Sequence, residues 1–115
     1  EMECEATDNW EELFARNDVE TVIITTPNHL HAPTSIAALR RGKDVLCEKP
    51  LARESEEARQ IVNTARENRL KLKGGFTLRH HLGIQQAREW FDKGSVGQLI
   101  LLRSRYGICG RPGVR

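Results

Sequence analysis

The feature of this sequence that most constrains its fold is a series of short apolar runs separated by segments with helical patterning. Thr21–Thr25 is β-branched and apolar on consecutive residues, which is typical of a strand buried on both faces of a parallel sheet. Asp44–Cys47 and Leu70–Phe76 are predicted as two further strands. Because helical segments alternate with these runs, the order predicts βαβ units with right-handed crossovers, and therefore an α/β fold with a doubly wound parallel sheet.

Capping residues set the predicted helix boundaries. Asp8 is placed to cap a first helix, with Glu11 three residues further on as in a capping box. A second helix is predicted from Pro33, in its first turn, to Arg41, with Gly42 as a left-handed C-terminal cap. The remaining predicted boundaries are Ser55 as the cap of a third helix, Gly94 as the end of a fourth, and Gln98–Tyr106 as a last strand.

The composition fits a globular chain of about one domain. Of its 115 residues 38% are hydrophobic and 30% are charged, which argues against wholesale disorder. The 18 Lys and Arg are interleaved with 16 Asp and Glu, so we expect no nucleic-acid partner. No apolar run approaches the roughly 18 residues of a membrane helix, so we expect no membrane partner. Cys4, Cys47 and Cys109 lie far apart, which indicates free thiols and a cytoplasmic location.

Polar residues follow each of the three predicted strands. In open α/β sheets, ligands bind outside the carboxyl ends of the strands, so these residues predict a ligand site in which Lys49 is suited to proton chemistry. For Glu48-Lys49-Pro50 a surface loop without function stays an alternative, because so short a motif needs its structural context. The three clusters are Thr26-Pro27-Asn28 with His29 and His31, then Glu48-Lys49-Pro50, then Thr77, Arg79 and His80.

Three further features have simpler structural interpretations. His29 and His31 form an H-x-H pair, but no third ligand is in range, so no metal site is predicted. The His80-His81 pair is interpreted as a partly exposed helix start. Cys47, inside a predicted strand, is interpreted as a small buried hydrophobic residue.

Four ordered motifs, at matching spacing, resemble the glucose–fructose oxidoreductase/inositol dehydrogenase (Gfo/Idh/MocA) family. The resemblance covers nearly the whole chain, from Trp10 to about Gly113. It implies a partial Rossmann-like sheet, with a dinucleotide-binding domain over residues 1–94. Residues 95–115 would begin an α+β second domain for substrate binding or dimerisation, and the chain would end in its first strand. The motifs are Thr26-Pro27-Asn28-x-x-His31, Gly42-Lys43-x-Val45-Leu46-Cys47-Glu48-Lys49-Pro50-Leu51-Ala52, Gly74-Gly75-Phe76-x-x-Arg79 and Gly94-x-Val96-Gly97.

The resemblance implies an NAD(P)-dependent oxidoreductase that moves hydride between nicotinamide and a hydroxyl-bearing carbon of a sugar or polyol. Lys49 would be the catalytic lysine, touching the reacting hydroxyl. Desolvation and the positive nicotinamide ring would favour its neutral amine as a base, and a charged Lys49 could still stabilise a developing alkoxide. The family often has a cis bond between the lysine and proline of this motif. The implied cofactor-binding residues are Thr26, Pro27, Asn28, His31, Glu48, Lys49 and Pro50, and the implied substrate-binding residues are Lys49 and Arg79.

The sequence departs from the family pattern in ways that bear on activity. The family begins with a Gly-x-Gly-x-x-Gly turn that holds the pyrophosphate at a helix N-terminus, and these 115 residues contain none. The later Asp-x-x-x-His of the substrate domain is also missing. We therefore expect an internal piece of a longer homo-oligomeric enzyme, inactive by itself. Two alternatives stay open, a non-catalytic ligand-binding or regulatory module and a truncation product that self-associates through the edge of Gln98–Tyr106.

Overall fold

Three short parallel strands organise the protein, which a computed structural model describes over residues 4–105. The strands are β1 (Thr21–Ile24), β2 (Asp44–Cys47) and β3 (Leu72–Gly74), and they lie in the order β1-β2-β3. Cys47 of β2 pairs with Ile24 on one side and with Gly74 on the other, so all three strands end level. The predicted α/β fold with a parallel sheet is confirmed, and β2 has the predicted boundaries.

The core of the first part of the chain lies between this sheet and two crossover helices. The helix α2 (Asn28–Arg40) packs against β1, β2 and the helix α3 (Ser55–Glu67). The other helices are α1 (Trp10–Ala15), a 3₁₀ turn over Thr77–His80 and α4 (Leu82–Asp92). The buried hydrophobic residues form one cluster, which comprises Phe14, Val22, Ile24, Ala32, Ala38, Leu39, Val45, Cys47, Ile61 and Ala65.

Two strand predictions were wrong in detail. β1 was predicted to be buried on both faces, but its residues alternate in burial, and the side chain of Ile23 is 67% exposed within residues 4–105. Both crossover helices contribute to the single cluster on the other face, which is why the alternation appears. β3 is shorter than Leu70–Phe76 because the Leu70 amide donates to Ala65 O at the end of α3, and because the chain turns after Gly75.

The start of α2 was also predicted wrongly. The helix begins directly after Pro27, so Pro33 lies inside it and not in its first turn. Pro33 removes the donor for the carbonyl of His29, but both residues are exposed, so water can serve that carbonyl. Ala32, in the early part of the helix, is buried in the core, and such packing outweighs the cost of an interior proline.

The N-terminal caps of α1 and α3 were predicted to within one residue. The cap of α1 is Asn9 and not Asp8, since Asn9 Oδ1 accepts from the amide of Glu11 at 3.0 Å. Ser55 is the first residue of α3, and Glu54 stands at its cap position. Gly42 was predicted correctly as a left-handed cap, since it follows α2 with φ +77°, and Gly94, predicted as the end of the fourth helix, follows α4 with φ +70°.

The chain divides into two compact units between Thr77 and Leu78. The second unit contains α4 and, after it, a segment predicted as the strand Gln98–Tyr106. Over residues 98–105 this prediction is wrong, because the segment has no regular structure and Ile100 is 93% exposed. Such a strand needs a partner strand to satisfy its backbone groups. Tyr106, the last residue of the predicted strand, lies outside the described residues. Within residues 4–105 no helix is long and apolar enough to span a membrane.

We expect Ile61→Ala to lower the free energy of unfolding by about 2–5 kcal/mol and Ile61→Val by about 0.5–1.5 kcal/mol. The reason is that the Ile61 side chain is fully buried on α3, so each deleted methyl group loses core contacts. Urea denaturation of the protein that carries this chain measures both values. Gln60→Ala, at the exposed neighbouring position, is the control and should change stability by less than about 0.5 kcal/mol. Equal small losses for both Ile61 variants would contradict this packing.

Candidate functional site

The loops after β1 and β2 lie side by side at the carboxyl edge of the sheet. The amide of Glu48 donates to the carbonyl of Ile24 at 2.9 Å, which holds the start of the second loop beside the end of the first strand. Thr26, Pro27 and Asn28 in the first loop and at the start of α2 are exposed. Lys49 in the second loop is exposed as well. The structure therefore brings two of the three predicted polar clusters together at one edge.

His31 joins these two loops from beneath. Its ring Nδ1 lies 2.7 Å from the carbonyl oxygen of Pro50, and its Nε2 lies 2.8 Å from that of Thr26. The residue is only 1% exposed, whereas Thr26 and Pro50 are exposed. Both ring nitrogens of His31 therefore contact backbone oxygens, while His29, the other member of the H-x-H pair, is exposed.

The backbone around Lys49 is fixed on both sides. Its amide donates to Glu48 Oε2 at 3.1 Å, and the carbonyl of the following residue, Pro50, is the one that contacts His31. The Lys49–Pro50 peptide bond is cis, as the family resemblance implied. The contacts with Glu48 and His31 thus hold the backbone on both sides of an exposed lysine side chain at the carboxyl edge of the sheet.

Glu48 lies against a glycine that the sequence analysis did not single out as a site residue. A Cβ on Gly75 would lie 3.0 Å from Glu48 Oε1, so a glycine at this position gives the carboxylate room. Gly75 is itself held by its amide, which donates to the carbonyl of Cys47 at 2.8 Å. The Gly74-Gly75 pair was the sequence signal that could have identified this contact, since glycine at a strand end often marks a close approach of another group.

Cys47 ends β2 directly beside this site, but it is fully buried. Burial raises the pKa of the Cys47 thiol, because desolvation disfavours the thiolate. A thiolate is the reactive form of cysteine, so Cys47 is poorly suited to act as a nucleophile. This agrees with its interpretation as a small hydrophobic residue, and it leaves an amine and a carboxylate as the reactive groups of the second loop.

The N-terminus of α2 opens at the same edge. Pro27 occupies the cap position and makes no side-chain hydrogen bond to the first turn, so the N–H groups of Asn28 and His29 can donate to a ligand. A helix N-terminus favours anionic groups, and a dinucleotide carries them. The exposed polar groups of this edge therefore fit a phosphate-bearing cofactor.

Arg79 belongs to the second unit of the chain, where it lies in the 3₁₀ turn Thr77–His80. Its carbonyl accepts a hydrogen bond from Gln85 Nε2 at 3.4 Å, which ties the turn to α4. His81 caps α4 by accepting from the Gly83 amide at 3.2 Å, so the interpretation of the His80-His81 pair as a helix start is confirmed for His81.

Open parallel α/β sheets bind ligands outside the carboxyl ends of their strands, and dinucleotide-binding folds are among them. Residues 1–76 match the family GFO_IDH_MocA, described as an oxidoreductase family with an NAD-binding Rossmann fold. Because this match covers well over half of the sequence, the chain belongs to that family.

Individual relatives agree with this assignment. The 1,5-anhydro-D-fructose reductase of Ensifer adhaerens is 41% identical over 98 residues, which are 85% of this chain and 29% of the relative. A levoglucosan dehydrogenase solved with NADH and levoglucosan is 34% identical with a TM-score of 0.76, over 80% of this chain and 25% of that one. KijD10, a 3-ketoreductase from Actinomadura kijaniata solved with NADP and TDP-benzene, is 37% identical with a TM-score of 0.69, over 75% of this chain and 27% of that one. The chain thus spans between a quarter and a third of the length of these proteins.

The contact between Gly75 and Glu48 predicts a coupling that unfolding experiments can measure. In a Glu48→Ala background, Gly75→Ala should stabilise the protein by about 0.4–1 kcal/mol, because alanine restricts the unfolded chain. With Glu48 present, the added methyl group displaces the carboxylate, so this gain should shrink or reverse. A double-mutant cycle by urea denaturation gives the coupling, which we expect to exceed about 0.5 kcal/mol. Additive effects of the two substitutions would show that Glu48 does not lie against Gly75.

Proposed function

We propose that this chain is part of an NAD(P)-dependent oxidoreductase that moves hydride between nicotinamide and a hydroxyl-bearing carbon of a sugar or polyol. One observation carries the proposal, namely the exposed Lys49 whose backbone is fixed on both sides at the carboxyl edge of the sheet. Membership of an NAD-binding oxidoreductase family supports it. So do relatives whose names describe sugar reductases and dehydrogenases.

Lys49 is the residue that handles the proton. When bound, NAD(P)⁺ would supply the hydride acceptor for the carbon that bears the hydroxyl, and the residues around Lys49 would hold it there. The Nζ amine of Lys49 accepts the hydroxyl proton as the C–H bond breaks and the carbonyl forms, which is general base catalysis. In the reductive direction the ammonium group returns that proton. A charged Lys49 also donates a hydrogen bond to the substrate oxygen and stabilises its developing negative charge.

The neighbouring residues hold the cofactor and the substrate in this proposal. The exposed residues of the first loop and of the α2 N-terminus would hold the dinucleotide when it is bound, and Glu48 would contact its nicotinamide part. Arg79 contributes to the substrate site. Both NAD and NADP are retained as cofactors, since the relatives were solved with NADH in one case and NADP in another. The proposed cofactor-binding set comprises those residues implied by the resemblance that are exposed or half-buried, namely Thr26, Pro27, Asn28, Glu48, Lys49 and Pro50, whereas His31 is buried.

The complete enzyme in this proposal is a cytoplasmic homo-oligomer without nucleic-acid or membrane partners. Its dinucleotide-binding domain includes residues 1–94, and residues 95–115 begin the substrate or dimerisation domain. Cys4 and Cys47 are both free thiols, which fits a reducing compartment. The 115-residue chain by itself would have no turnover, because it contains no Gly-x-Gly-x-x-Gly turn for the pyrophosphate.

Self-association of the isolated chain is a second candidate, favoured by a specific observation. The side chains of Ile100, Leu101 and Leu102 are 93%, 81% and 77% exposed in the second unit. A run of exposed apolar residues marks either an interface or an aggregation-prone segment. A chain that stays monomeric at high concentration by light scattering would exclude this candidate.

We expect Lys49→Ala in the full-length enzyme to lower kcat by about 10²–10⁴-fold, because it removes the group that transfers the substrate proton. Steady-state assays with NAD and NADP against a panel of sugars and polyols measure the loss. Lys71→Ala is the matched control, since Lys71 is an exposed lysine just before β3, at the opposite end of the sheet. Its ion pair with Asp44, at 3.8 Å, is long and has an exposed ammonium group, so it contributes little.

Near-normal kcat in Lys49→Ala would contradict the catalytic role. Saturable binding of a ligand other than a dinucleotide, without turnover, would favour a non-catalytic binding or regulatory module instead.

A further inference from the structure

We propose that His31 is a positioning residue, which fixes the backbone beside Lys49 by joining the loops after β1 and β2. The inference rests on the proposed function of Lys49. It differs from the cofactor contact that the family resemblance implies for His31, because here the histidine acts through the protein backbone. We call the pair of contacts from the His31 ring to the carbonyls of Thr26 and Pro50 the carbonyl bridge.

His31 differs from the other residues of its motif in being buried. Thr26, Pro27 and Asn28 are exposed and can meet a ligand, whereas His31 is 1% exposed. A side chain with so little accessible surface can make little direct contact with a cofactor. Its two ring nitrogens lie instead within 2.8 Å of protein oxygens.

The two carbonyls of the bridge define what the ring must supply. A carbonyl oxygen only accepts hydrogen bonds, so the ring has to donate. A neutral imidazole has one N–H and donates to one of the two oxygens, and a doubly protonated ring donates to both. In either form the ring is the polar group that lies between the two loops.

The histidine of the carbonyl bridge lies on a helix that is packed into the core. His31 lies in the first turns of α2, which packs through Ala32, Ala38 and Leu39 into the core beneath the sheet. The contact with His31 therefore connects the carbonyl of Pro50 to a helix that is packed into the core. Glu48 already holds the amide of Lys49 on the other side, so the loss of His31 would free the C-terminal side of the catalytic residue.

A displaced Lys49 should affect the chemical step more than cofactor binding. A misplacement of about 1 Å can cost about 10²-fold in rate. We therefore expect His31→Phe, which keeps a flat ring but has no donor, to lower kcat by about 10²-fold in the full-length enzyme. The dissociation constant of the dinucleotide should change only a few-fold. Arg40→Phe is the control, since it places a phenylalanine at an exposed position at the opposite end of α2, and it should leave kcat unchanged.

Two amide variants test which carbonyl matters. The shorter side chain in His31→Asn places its NH₂ group near the position of Nδ1, which faces Pro50. The longer one in His31→Gln places its NH₂ group near Nε2, which faces Thr26. If the bridge acts through Pro50, His31→Asn should recover about tenfold of the lost kcat, and His31→Gln should recover less.

Two kinetic outcomes would overturn the proposal. One is a weakened dinucleotide affinity in His31→Phe with kcat retained at saturation, which would make His31 a cofactor contact. The other is an Asn variant that is no faster than the Phe variant, which would show that the bond to Pro50 does not set the rate.

Hydrogen–deuterium exchange of the full-length protein tests the bridge without any assay of activity. In His31→Phe, peptides covering residues 48–53 should exchange faster than in the wild type, while those covering β2 should not change. If the wild type lacks dehydrogenase activity, the proposed function fails, but the exchange result still decides whether His31 holds the loop. Unchanged exchange over residues 48–53 would overturn the positioning role.

Discussion

The parallel pairing of β1 with β2 is the constraint on which the candidate site depends. The register sets Ile24 opposite Cys47, so both strands end level and their loops start side by side. Side chains alternate between faces, and a slip of one residue would turn Cys47 out of the core and direct Glu48 into it. Burial of Val22, Ile24, Val45 and Cys47 on one face therefore fixes the register. Fixing the core in this way also decides which side chain of the second loop is presented at the edge.

The site is organised mainly through backbone atoms. A backbone bond from Glu48 to Ile24 and another from Gly75 to Cys47 tie the strand ends together. Two side chains then hold the backbone next to Lys49, Glu48 from one side and His31 from the other. Such an arrangement suits a residue that must be held in place while its own side chain reaches solvent. It also explains why a glycine is suited to position 75, where a methyl group would meet the carboxylate of Glu48.

Much of this fold could be predicted from the sequence because the informative patterns are local. The β-branched run before Thr26 and the glycine at 42 each determine their own neighbourhood, so β1 and the end of α2 were predicted to within one residue. The errors arose where adjacent residues compete or where packing decides. Asp8 and Asn9 are both good caps, and only the path of the chain selects Asn9. Pro33 favours a helix start, but burial of Ala32 stabilises the turn before it.

The candidate site shows the same division. The rule that ligands bind at the carboxyl ends of parallel strands was enough to group Lys49 with Thr26, since it needs only the strand order. The contact of His31 with Pro50 spans 19 positions in the sequence and depends on the direction of one ring, which no local pattern encodes. The closeness of Gly75 to Glu48 is of the same kind.

The motif Thr26-Pro27-Asn28-x-x-His31 therefore combines residues with different physical roles. Asn28 and His31 lie three positions apart on α2, a spacing that puts two side chains on the same side of a helix. Yet one is exposed and the other is buried, because the first turn of α2 starts at the surface edge of the sheet and runs into the core. The spacing of the motif is then explained by geometry. It is the distance along a helix from a position that can meet a ligand to a position that can hold the loops around it.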